Sequence, residues 1–108
     1  MMIANNVEIK DKAVMDNLKR LTNQIYKLLP NREEGLDWKS PLTTIIIEFS
    51  GMNKLFQNNH TVLFMLLCKL EGLLDLTKEE DFYLYRKTIF ECLGLIQVLK
   101  ENLFEKEV

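Results

Sequence analysis

Few side chains in this sequence could do chemistry, and their spacing suits it poorly. His60 is the single histidine of the 108-residue chain. An imidazole acting as a metal ligand or general base needs partners placed to hold it. No Cys or second His stands at ligand spacing from His60, so it reads as a surface or boundary residue at the start of a helix. Ser40 and Ser50 offer hydroxyls, but neither sits in the strand–turn–helix elbow that exposes a serine nucleophile. Glu33, Glu34 and Asp37 offer oxygen ligands of the kind Mg²⁺ takes. Acids in a loop are ordinarily solvated, so a metal-dependent hydrolase is the weakest functional reading.

The usual chemistries of helical bundles are missing in the same way. Di-iron bundles need Glu-x-x-His on inward faces, and one histidine cannot supply that. HEPN-type nucleases carry an Arg followed five to seven residues later by a His, a pattern that follows neither Arg20 nor Arg86. MazG-type pyrophosphohydrolases pair Glu-x-x-Glu on one helix, whereas Glu79, Glu80 and Asp81 are consecutive and fan around a helix start. No glycine loop is present to cradle a phosphate. Lys10, Lys12, Lys19, Arg20, Lys27 and Arg32 form a basic flank on the first helical segment, interrupted by Asp11, Asp16, Glu33 and Glu34. Nucleic-acid binding wants a denser cluster with interleaved aromatics. An accessory subunit of a nucleic-acid complex using this flank is therefore the alternative reading. No catalytic residue, metal or cofactor is assigned.

Composition points to helices. Apolar residues make up 47% of the chain and charged residues 28%, while Gly (4) and Pro (2) are too scarce for a chain of many turns. Net charge is −2, giving no steering field for nucleic acid or anionic lipid. Residues 41–76 carry only Lys54, Lys69, Glu48, Glu71 and Asp75, so the middle third should form the centre of the fold. The longest apolar run, Val62–Cys68, is seven residues, far short of the ~20 that cross a membrane. The opening MMIANNVEIKDK lacks the apolar core of a secretory signal. Cys68 and Cys92 fall in apolar helical pattern and read as reduced core residues. A cytoplasmic protein is expected, of one helical domain over 1–108 with 1–10 a flexible lead-in.

Four helical stretches follow from periodicity. Val14, Leu18, Leu21, Ile25 and Leu28 alternate steps of four and three, predicting a helix over 11–29 that Pro30 stops. Ser40-Pro41 reads as N-cap and first turn of a second helix over 41–57, carrying Leu42, Ile45, Ile46, Phe49, Met52 and Phe56. Thr43–Ile47 has strand propensity, but the wider helical period outweighs it. Gly51 marks a kink or close helix contact. Asn59 should cap a third helix over 60–74. Thr77 and Glu80 have capping-box spacing for a fourth over 78–104, with Phe82, Tyr85, Ile89, Cys92, Ile96, Leu99 and Leu103 as its stripe. Short connections make an antiparallel four-helix bundle, up-down-up-down, with a long C-terminal helix the expected fold.

Two features exceed what such a bundle needs. Seven consecutive apolar residues go all the way round the third helix, yet an outer helix is covered on one side only. In the fourth helix Leu84, Leu95 and Val98 group roughly 110° from the main stripe. A second apolar face for a partner is expected there, formed by Leu84, Leu95, Val98, Phe64 and Leu67. The loop NREEGLDWK holds the single tryptophan, Trp38, as either an end-plug or a binding anchor. The leading reading is a small non-enzymatic protein acting through self-association, most simply as a homodimer, or through a protein partner.

Overall fold

Helices α1 (Met2–Glu33), α2 (Lys39–Gly51), α3 (His60–Leu73) and α4 (Phe82–Glu105) account for most of the described chain. A short 3-10 turn, Glu79–Asp81, leads into α4. The computed structural model describes the backbone of residues 2–56 and 59–105 and the side chains of 12–56 and 59–102. No strand occurs among the described residues, and Thr43–Ile47 lies within α2. Each helix packs on its neighbours in the chain, and α4 returns to pack on α1.

Helix α1 is longer than its periodicity suggests, at both ends. Residues 2–10, expected as a flexible lead-in, lie within it. So does Pro30, which does not stop the helix. A proline removes one amide donor, and near a helix end the loss of one bond is tolerable. The terminator is Gly35, at φ +76°. Its amide donates to the Arg32 carbonyl at 3.1 Å, and the Leu36 amide donates to Asn31 at 2.8 Å. That pair of bonds is the Schellman ending, which places glycine in the left-handed conformation.

The start of α2 is set by Asp37 rather than by Ser40. Asp37 Oδ1 accepts from the amides of Lys39 at 3.0 Å and Ser40 at 3.2 Å. The side chain and then the amide of Ser40 hold the Asp37 carboxyl below its ordinary value. Gly51 is the last residue of α2, and a Cβ there would meet nothing within 4 Å, so it marks neither a kink nor a close contact. Turns carry the chain onward, and Met52 and Phe56 are still buried. Asn59 stands at the N-cap of α3 without capping it. Its Oδ1 instead accepts from Asn102 Nδ2 at the far end of α4.

The expected capping box at Thr77 and Glu80 is displaced by one residue. The Asp81 carboxylate accepts from the Lys78 amide at 3.2 Å, while the Asp81 amide donates to the Lys78 carbonyl at 3.0 Å. Lysine has no acceptor to complete the box, so Asp81 alone ties down this turn. Asp81→Ala should therefore cost about 1 kcal/mol in urea unfolding, and Thr77→Ala close to nothing. The reverse ranking would place the helix start where the sequence pattern put it.

The core holds Val14, Leu18, Leu21, Ile25 and Leu28 of α1, Leu42, Ile45, Ile46 and Phe49 of α2, and Leu63, Leu66, Leu70 and Leu73 of α3, while Ile47 of α2 stays exposed. Tyr85, Ile89, Cys92, Ile96 and Leu99 complete it from α4, with Phe82 half-buried at its edge. Leu103 lies outside the described side chains. No polar or charged residue is buried among those described, and no buried side-chain polar atom lacks a partner. Such a core gains most of its stability from apolar area.

Candidate interaction surface

The apolar run of α3 divides by burial. Leu63 and Leu66 are buried, Val62 and Leu67 half-buried, and Phe64, Met65 and Cys68 exposed. Phe64 keeps 61% of its surface in water and Met65 44%. Cys68 is thus a surface thiol, not a core residue, because the core stripe of α3 runs through Leu66 and Leu70 and Cys68 turns away from it. Cys92 is buried, and burial pushes its thiol up to about 12.

The second stripe of α4 is less uniform than its spacing suggests. Leu84 is 50% exposed and Val98 is also exposed, whereas Leu95 is half-buried and packs on the core. Lys69 of α3 and Glu91 of α4 pair at 3.2 Å beside this stripe. Both ends of that pair are substantially exposed, so it adds little stability. Leu67 faces the other side of α3. With Ser50, Asn53, His60, Leu63 and Phe64 it lines a cleft of about 230 Å³. His60 therefore shares a cleft with the Ser50 hydroxyl, the Asn53 amide and three apolar side chains, and no carboxylate or thiol among the described residues lines it.

Trp38 has a different setting. It is half-buried at one end of the bundle, edge-on to Tyr85 with ring centres 5.0 Å apart. Phe82 stacks beyond Tyr85 at 6.2 Å. Arg32 closes this group: its guanidinium carbon lies 4.3 Å from the Tyr85 ring centre and 4.9 Å from that of Trp38. The same guanidinium donates to the carbonyls of Leu76 and of Lys78, the latter at 2.8 Å. One side chain thus ties the end of α1 to the connection between α3 and α4. A hollow of about 530 Å³ remains, lined by Arg32, Glu33, Trp38, Thr77, Glu79 and Phe82.

Burial raises the Tyr85 phenol from 10.0 to about 12, with the Arg32 charge pulling the other way. A raised folded-state value stabilises the fold below the unfolded value and loses that contribution as pH climbs through the folded one. Stability should therefore fall between pH 10 and about 12. Tyr85→Phe removes only a long bond of 3.5 Å to the Leu28 carbonyl, so it should be nearly neutral at pH 7 and flatten that alkaline loss. Equal alkaline slopes in the two proteins would show that Tyr85 does not titrate this way.

The basic flank of α1 is partly spent on structure. Arg20 bonds Glu48 at 3.1 Å, and Arg32 is held in the end cluster. Lys10 lies outside the described side chains, and Lys12, Lys19 and Lys27 stay exposed. Among the loop acids, Asp37 caps α2, while Glu33 and Glu34 are exposed. No group of three or more His, Cys, Asp or Glu among the described residues is gathered closely enough to hold a metal ion. No described helix is long and apolar enough to cross a membrane. Comparison with protein-family models, curated proteins and solved structures finds no match to this chain.

Proposed function

We propose that this chain is a non-enzymatic helical assembly protein that joins a second copy of itself through the outer face of α3 and the adjoining stripe of α4. The observation that carries this reading is the water-facing apolar surface of Phe64, Met65, Leu84 and Val98. Burying a side chain of this kind is worth about 1.5–3 kcal/mol, so several of them left in water favour being covered. A twofold dimer is the simplest closed arrangement. Two contacts run α3 antiparallel to α4, as an up-down-up-down bundle requires: Lys69 meets Glu91, and ten residues earlier, at the N-cap of α3, Asn59 meets Asn102, further along α4. That register sets Met65 beside Leu95 and Val62 beside Val98, with Leu84 further along, past the end of α3. Both cysteines are free, which suits the reducing cytoplasm.

The basic flank favours the rival reading less, because Arg20 and Arg32 already serve Glu48 and the bundle end. Cys68 supplies a direct test, since it lies on the proposed face while Cys92 is buried. Alkylation of Cys68 should slow as protein concentration rises, and Phe64→Glu should remove that dependence. A Cys68 rate independent of concentration in the wild type contradicts self-association.

A further inference from the structure

The α1 side of α4 carries another surface, which self-association through α3 leaves open. Tyr83 and Phe90 stand seven residues apart, two helical turns or roughly 10 Å along the axis. They lie about 100° round the helix from Leu84, Leu95 and Val98. Tyr83 is 80% exposed, the most open of the large apolar side chains described. Phe90 is also exposed and meets Tyr26 of α1 edge-to-face, with ring centres 6.5 Å apart. Arg86 and Lys87 lie between the two rings, and the Arg86 guanidinium carbon is 5.7 Å from the Phe90 ring centre. Neither cation takes part in an ion pair among the described residues. Tyr83, Arg86, Lys87 and Phe90 together line a depression of about 220 Å³.

We infer that this patch docks an acidic amphipathic helix of a partner protein. Two aromatic anchors at heptad spacing match the period at which a helix laid alongside presents its own apolar side chains. The two cations between them call for carboxylates at the intervening positions of that partner. Arg86 offers a forked set of donors suited to a carboxylate, and Lys87 adds a point charge. A long polyanion fits less well. The chain is net negative, and Glu79 and Glu80 lie one turn before Tyr83, where a continuous phosphate backbone would meet them. A short helix with acids only between its two anchors avoids that repulsion.

The test is a selection of displayed random peptides on the full-length protein, followed by binding of the selected synthetic peptides measured by fluorescence anisotropy. Sequences with apolar residues seven apart and Asp or Glu between them should be enriched, and their binding should weaken with salt. Arg86→Glu and Tyr83→Ala, both surface changes, should each weaken binding on the order of tenfold or more. Phe64→Glu should bind like the wild type, which separates this site from the assembly face. Enrichment of basic or patternless peptides, or binding indifferent to both patch variants, overturns the inference. So does binding of oligothymidylate at this patch in place of the selected peptides.

Discussion

Ile89→Ala and Ile96→Ala should each lower the unfolding free energy by about 2–5 kcal/mol. Both side chains are fully buried on the stripe of α4, which packs on α1 and on α3. Truncation removes apolar contacts and leaves a cavity that two flanking helices cannot both close over. The loss should appear as a lower denaturant midpoint with unchanged slope, and it should not depend on protein concentration. Leu84→Ala on the exposed side of the same helix should stay within about 0.5 kcal/mol under conditions where the protein is monomeric. If Ile89→Ala and Ile96→Ala are neutral while Leu84→Ala is costly, the buried and exposed faces of α4 have been exchanged.

Arg32→Ala should cost about 2–3 kcal/mol, a large effect for a side chain that is only half-buried. Two carbonyls, of Leu76 and Lys78, lose a charged donor, and the rings of Tyr85 and Trp38 lose the cation that lies against them. Some of this is recovered because water reaches part of the site, which keeps the figure below the sum of the separate contacts. Arg32→Lys should recover less than half of the loss. A lysine restores the charge but cannot direct a planar fork at two carbonyls and lie flat on a ring at once. Urea unfolding of the three proteins checks the order wild type, Arg32→Lys, Arg32→Ala. Equal midpoints would reduce Arg32 to a surface cation of the α1 flank.

The helices and their core stripes were legible because burial imposes a period that survives in the sequence. Val14 to Leu28 in α1 and Tyr85 to Leu99 in α4 are buried as their spacing requires. The caps were less legible, because several residues compete for each one. Pro30 looked like the end of α1, but the glycine of the left-handed position at residue 35 was the stronger signal and stood five residues later. Asp37, two residues before Lys39, takes the capping role that Ser40 offers equally well by residue type. The helix start falls at Lys78 and Asp81 rather than Thr77 and Glu80, because a 3-10 turn precedes α4 and shifts the register.

Arg32 was not legible at all. The two carbonyls it bonds lie more than forty residues away, and its charge alone does not distinguish it from Arg20, which pairs with Glu48. The clustering of aromatics at Trp38, Phe82 and Tyr85 was the one available hint. In α3, seven apolar residues in a row concealed which positions face water, since periodicity vanishes when every position is apolar. That is why Cys68 read as core. Leu95 carries the same lesson in reverse, lying at the margin between stripe and core.

Light scattering of the full-length protein at micromolar concentration tests self-assembly most directly. The expected mass is near twice the 12.8 kDa of one chain. Phe64→Glu should return the mass to that of a single chain while the helical circular-dichroism signal is kept. Phe64 is a cleaner probe than Leu95, because Leu95→Glu would also put a charge against the core. A wild-type protein that is monomeric at these concentrations without aggregating contradicts self-assembly through α3 and α4.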